Sequence, residues 1–186
     1  NGEYTRDDGS IGVSYNIKRV YDISQTTARP RAKQPVSHDP RALLNAMIYK
    51  RPVEIRSVDE LPDHASAIYD HEQKVIFVCR GLDADNLFCG LSKAIAEAEI
   101  ALTTDEYIPE NASYKAHCVS YILGKEFGFE VSDYNFGNPS DLLRTDDPQA
   151  IRAELSEIRD TAYDISARMI RSLEKEKAPR NNEQER

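Results

Sequence analysis

Seven apolar residues near the C-terminus, Ile151, Leu155, Ile158, Ala162, Ile165, Met169 and Leu173, recur at alternating steps of four and three. That spacing lines them up on one face of an α-helix at the heptad period. Asp147 supplies a capping carboxylate, and Pro148 suits the first helical position, where a backbone N–H would go unpaired. At 1.5 Å per residue the helix would be roughly 45 Å long. An apolar seam of that length must cover either the chain's own core or a partner helix, and the second choice implies a homodimer through the C-terminal helix. A chain of 186 residues can build one sizeable core. The tail after Lys177, APRNNEQER, is too polar to join it.

The rest of the chain alternates short strand and helix signals. Residues 1–12 are polar and read as a loose lead-in; Val13, Tyr15 and Ile17, followed by Val20, Tyr21 and Ile23, read as a strand over 13–23. Residues 24–40 carry prolines and basic side chains without apolar periodicity, as a linker would. Pro40 opens a short helix to about Tyr49, with Leu43, Leu44, Met47 and Ile48 as its buried stripe. Val53–Arg56 is a short strand, and Ala67–Tyr69 pairs with Val75–Val78 across the polar turn 70–73. Leu87, Leu91, Ile95, Ala98 and Leu102 mark a helix over 84–102. Ala116, Val119, Leu123 and Phe127 mark another over 111–127, which Gly128 ends in a left-handed conformation while Phe129 folds back. The expected architecture is α+β: a small antiparallel sheet packed on a helical body, with a long C-terminal helix.

A net charge of −8 works against duplex DNA as a ligand, since phosphate binding rests on clustered Lys and Arg. The basic cluster Arg29, Arg31, Lys33 and Arg41 is the local exception; it supports single-stranded DNA as a partner no better than a solvated linker does. No apolar run reaches the ~20 residues a membrane helix needs, and no basic-then-apolar leader is visible, so no membrane partner is expected. The chain opens on Asn1 rather than Met, as a fragment would. Cys79, Cys89 and Cys118 are odd in number and lack paired spacing, which fits reduced, buried thiols in a cytoplasm.

Familiar catalytic patterns are missing. There is no Gly-rich phosphate loop and no GxSxG elbow. His117 and Cys118 are adjacent, so on a helix they point about 100° apart and form no dyad. The four histidines, His38, His64, His71 and His117, include no i,i+4 pair of the kind that seats two imidazoles on one metal.

The segment RVYDISQT (19–26) resembles the V-[FY]-D-[VI]-S-Q-T stretch of the ArdC-type and LtrC-type antirestriction proteins of conjugative elements. Residues 67–102 resemble the strand pair and active helix of their C-terminal, zincin-like metallopeptidase domain. ASYKAHCVSYILGKEFGFEVSDYNFG (112–137) is similar to its E-x-E-A-E-S-V-A-Y…GL-x-x-S-D-Y-S-F-G stretch. The likeness spans residues 13 to about 177. It implies a zincin-like fold, a bacterial cytoplasmic location and three parts: 1–40 as a strand and Pro-rich basic linker left from an upstream domain, 41–146 as the core, and 147–186 as the long helix and a disordered tail.

The departures from that family carry the functional expectation. Where relatives read L-x-H-E-[LI]-A-H-A, this chain has LSKAIAEA (91–98). Lys93 and Glu97 stand at the two ligand histidines, and Ala94 stands at the general-base glutamate; the HExxH motif is replaced by Lys93-Ala94-Ile95-Ala96-Glu97. The acidic third-ligand region is Ser113-Tyr114-Lys115-Ala116, followed by His117. Zinc needs three neutral-nitrogen or anionic ligands and a base for its water; an ammonium ligates nothing and repels a dication. Lys93, Ala94, Glu97, Lys115 and His117 are therefore pseudo-active-site positions, with no catalytic residue and no zinc expected. An i,i+4 pairing of Lys93 with Glu97 is the simplest replacement. The expected function is a catalytically inactive metallopeptidase-like module that binds or scaffolds an unidentified protein partner. Two alternatives stand beside it: an active hydrolase with a relocated site around Glu97, Glu99, His117 and His64, and a single-stranded DNA accessory protein.

Overall fold

The computed structural model describes residues 2–14, 39–104, 107–137 and 147–177. The chain divides into two compact units, Asn1–Gln34 and Pro35–Arg186.

In the first unit, β1 (Gly2–Thr5) pairs antiparallel with β2 (Ile11–Ser14). The turn between them is fixed locally. The Asp8 carboxylate accepts from the Ser10 amide at 2.9 Å and hydroxyl at 2.7 Å, and Gly9 takes φ 81°. Residues 2–12 are thus a hairpin arm and turn rather than part of a loose lead-in; side-chain–backbone bonding supplies the order that apolar periodicity does not. The expected strand at 13–23 is seen only in its first two residues, and its remainder, with 24–38, lies outside the described residues.

The second unit has the expected α+β architecture. Its elements are α1 (Pro40–Ile48), β3 (Glu54–Val58), β4 (Ala67–Asp70), β5 (Val75–Cys79), α2 (Ala84–Thr103), α3 (Pro109–Phe127) and α4 (Pro148–Lys177). β4 and β5 form the expected hairpin, with Tyr69 opposite Ile76. The sheet order is β3-β5-β4, and β3 joins β5 in parallel, with Ile55 opposite Ile76. The sheet is therefore mixed, not wholly antiparallel, because the chain crosses from β3 through a one-turn 3-10 helix, Pro62–His64, to the far edge before returning down the middle.

The seam of α4 covers the chain's own core. Ile158, Ala162, Ile165, Met169 and Leu173 are buried with Leu43 and Met47 of α1, Ile95 of α2 and Val119 and Leu123 of α3. Only the first turns of α4 escape, Leu155 being 51 % exposed. On α2 the stripe holds from Leu91 to Ala98, but Leu102 is 49 % exposed, and Ile100 takes the core position in the last turn. α2 and α3 pack closely because small residues line their contact: Ala96, Ala116 and the hydroxyls of Ser92 and Ser120, which meet at 2.7 Å. Gly90 lets α2 seat on β4, since a Cβ there would overlap Ser66 Oγ and come within 3.1 Å of the Ala67 nitrogen. Among the described residues no helix is long and apolar enough to cross a membrane.

Candidate functional site

The α2–α3 pair and the segment leaving α3 enclose a cleft of about 430 Å³, lined by Asp85, Lys93, His117, Phe129, Asp133 and Tyr134 among others. Local sequence builds each wall. The Asp83 carboxylate caps α2 by accepting from the Asp85 and Asn86 amides. Gly128 closes α3 at φ 82°, ψ 21°, and the Phe129 amide donates back to the Gly124 carbonyl at 2.9 Å. Phe129 then stacks on Phe88 of α2, with ring centres 3.8 Å apart. Glu130 holds the next turn by accepting from the Val131 and Ser132 amides.

From that turn Tyr134 reaches back to α3. Its hydroxyl lies 2.6 Å from Ser120 Oγ, which donates to the Cys89 carbonyl at 2.9 Å. Ser92 Oγ lies 2.7 Å from Ser120 Oγ and donates to the same carbonyl at 3.0 Å, so the hydroxyls of Tyr134, Ser120 and Ser92 form one chain on Cys89. Burial pushes the Tyr134 phenol up, so it stays protonated at neutral pH.

His117 is held by rings. It stacks on Tyr134 at 4.9 Å and meets Phe136 edge-on at 5.1 Å. One ring nitrogen bonds to the Asn135 backbone, while Nε2 is buried and has no protein partner, so the bonded nitrogen is Nδ1. Burial, and then the nearby Lys93 charge, lower its pKa below the ordinary histidine value. At pH 7 the ring is neutral, with an Nδ1–H and a free Nε2 lone pair.

The structure brings Lys93 and His117 to one cleft and sends the other expected positions elsewhere. Glu97, one turn along α2, accepts from the Tyr107 hydroxyl at 2.9 Å, and Tyr107 stacks on His71 with centres 3.9 Å apart. Burial raises the Glu97 carboxyl, partly offset by Tyr107 and Lys93. Ala94 is 2 % exposed within the core. Lys115, two residues from His117, points to a different side of α3 and is buried against α4, with Glu154 and Glu157 each at 2.6 Å. Burial works against its charge, but the two carboxylates outweigh that and hold the ammonium above the ordinary lysine value. Glu99 pairs with Arg168 at 2.6 Å, and His64 sits exposed in the 3-10 turn. Glu97, Glu99, His117 and His64 thus do not form one constellation. The Cys118 thiol is raised by burial, the wrong direction for a nucleophile. Of the basic cluster, Arg41 is exposed in the first turn of α1, and Arg29, Arg31 and Lys33 lie outside the described residues.

These side chains do not fit zinc. Among the described residues no three His, Cys, Asp or Glu side chains gather as a metal site would require. His117 has one nitrogen anchored on the Asn135 backbone and the other buried without a protein partner.

Tyr107 and Tyr134 were not singled out by sequence reasoning. Tyr134 lies in the SDYNFG stretch (132–137), whose aromatic pair beside a turn was its one signal; Tyr107 lies in the α2–α3 connection and gave none. No protein-family model, no curated protein and no solved structure matches the chain.

Proposed function

We propose that this chain is a catalytically inactive, metallopeptidase-like domain of the antirestriction type carried by bacterial mobile elements, working as a binding module through the α2–α3 cleft. The observation that carries the reading is the fate of the motif positions. Lys93 projects into the cleft, Glu97 is committed to Tyr107, and Ala94 is packed in the core where a general base would be desolvated. A cleft that keeps its walls while losing ligands and base is suited to holding a group rather than hydrolysing one.

Protein purified without chelator should contain no stoichiometric zinc and show no chelator-sensitive peptidase activity. About one zinc per chain, or such activity, would refute the reading. The family assignment has its own test. Lys93→His with Glu97→His places two imidazoles one turn apart on α2, the first of them on the cleft that His117 also lines. Lys115 needs no change, since its ammonium is directed at α4. The folded double variant should take up about one zinc per chain, because the backbone supplies the ligand geometry. Failure to do so would remove the metallopeptidase part of the proposal.

A further inference from the structure

The heptad seam of α4 packs into the chain's own core, but the same helix carries a second face. Between it and the last turns of α3 runs a groove of about 530 Å³. The groove floor is made of small residues, Ala162, Ser166 and Ala167. Its exposed apolar groups are Ile122 of α3 with Tyr163 and Ile170 of α4, at 39 %, 71 % and 41 %. Lone exposed apolar residues are ordinary on a protein surface, whereas three gathered in one groove mark a contact face. Arg159 and Arg171 on α4 and Glu126 on α3 make the rim charged.

Along α4 this face reads Arg159, Tyr163, Ser166 with Ala167, Ile170 and Glu174, at helical steps of three and four. The order is close to a palindrome: a charge, a large apolar residue, two small ones, a large apolar residue and the opposite charge. A second copy laid antiparallel, with the two-fold axis between Ser166 and Ala167, sets Tyr163 against Ile170 of the second copy. It also sets Arg159 against Glu174 of the second copy, and each contact is made twice. The small residues fall at the axis, where the helices approach most closely. On the flank, Arg171 comes within a turn of Asp160 of the second copy. A parallel copy would instead set Arg159 against Arg159 and Arg171 against Arg171. Arg159 holds its neighbour Asp160 at 2.8 Å, both well exposed, a pairing weak enough to be shared. Within one chain Arg159 and Glu174 stand about four turns, roughly 22 Å, apart on α4 and do not meet.

We propose that the occupant of this groove is a second copy of the chain, docked antiparallel through the outer face of α4, with Tyr163 and Ile170 as the apolar contact and Arg159 with Glu174 fixing the register. This face is separate from the heptad seam. By helical spacing, Ile122 and Glu126 lie on the side of α3 away from His117 and Ser120, so the dimer leaves both α2–α3 clefts open. The proposal is therefore independent of what the cleft binds.

Sedimentation equilibrium of the full chain tests it. The wild-type protein should be a dimer at about 100 µM and dissociate on dilution toward about 1 µM, the strength a small helix-on-helix interface supports. Tyr163→Glu should weaken the dimer at least about tenfold. Arg159→Glu and Glu174→Arg each set like charges opposite one another, twice per dimer, and each should weaken self-association about fivefold or more. Mixed in equal amounts, these two charge variants should associate with each other to within about twofold of the wild-type affinity, because each copy supplies the charge that the other has lost. Neither a fold defect nor a pairing within one chain produces such a rescue. All three positions are exposed, and circular dichroism checks that helix content is unchanged. A wild-type chain that stays monomeric at the higher concentration overturns the proposal, including where a different protein is found to bind at Tyr163. So does a dimer that Tyr163→Glu leaves intact, or a mixture of the two charge variants that associates no better than either alone. Zinc in the wild-type protein would refute the inactive reading without touching these outcomes, and a monomer would leave that reading standing.

Discussion

Replacing Lys115 by methionine keeps most of its stem and deletes the ammonium. In the native protein that side chain is 9 % exposed, and it faces Glu154 and Glu157, which are 26 % and 32 % exposed. Removing one partner from a fully buried ion pair costs about 3–5 kcal/mol, chiefly from the stranded charge. Here two carboxylates are stranded side by side, but each is partly wet and can turn outward. The two effects oppose, and a loss of about 2–3 kcal/mol is expected. For a unit of this size that corresponds to a drop in Tm of about 5–10 °C, read by circular dichroism and by urea unfolding. Adding Glu154→Gln and Glu157→Gln to Lys115→Met should recover most of the loss, since no charge is then left unpaired. The folded ammonium lies above its ordinary pKa, so its contribution is complete below the unfolded value and disappears as pH rises through the folded one. The gap between wild type and Lys115→Met should therefore close only in strongly alkaline solution. A single variant within about 0.5 kcal/mol of wild type at pH 7, or a triple variant no better than the single one, would refute the argument that α3 and α4 are joined through this charge.

Three further outcomes follow from the packing. Glu97 has a raised carboxyl pKa, so its contribution to stability is lost as pH rises through that value; Glu97→Gln, which still accepts from Tyr107, should be more stable than wild type at about pH 8 and level with it at about pH 4, as urea midpoints at the two pH values will show. Ile158→Asp puts a charge into a position 5 % exposed and should cost more than about 4 kcal/mol, so an unchanged melting temperature would mean that α4 does not close the core. Gly90→Ala gains about 1 kcal/mol in helix propensity but drives a methyl into Ser66 and the β4 backbone, so a net loss is expected, with Ser66→Ala restoring part of it; net stabilisation measured by thermal unfolding would contradict the close approach of α2 to β4.

The helices were legible because each carries an apolar stripe at helical spacing, and three carry an end signal as well: Pro40 at the start of α1, Gly128 after α3, and Asp147 with Pro148 at the start of α4. Polar order was much less so. The β1–β2 turn rests on Asp8 bonding to Ser10, a pattern hidden in a polar run. The parallel placement of β3 depends on where the 62–64 turn sends the chain, which no local propensity encodes. In the candidate site, Lys93 and Glu97 shared a helix face as their spacing requires, but sequence could not say that Tyr107 would claim the glutamate. Lys115 could have been read better. It falls among Ala112, Ala116 and Val119, all buried, and a lysine inside such a stripe needs a buried acid; Glu154 and Glu157, three apart on α4, were the available pair.

The position of α4 at the end of the described chain has a consequence for how the molecule is made. Its buried residues are the last of the core to leave a ribosome, synthesis proceeding at about 5–20 residues per second. Until Leu173 emerges, the faces of α1 and α3 that α4 will cover have nothing to rest on, and Lys115 waits without its two glutamates. The second unit cannot finish folding until that last turn of α4 is clear of the ribosome. It passes through a stage, seconds long, in which most of its chain is complete and its hydrophobic interior is still open.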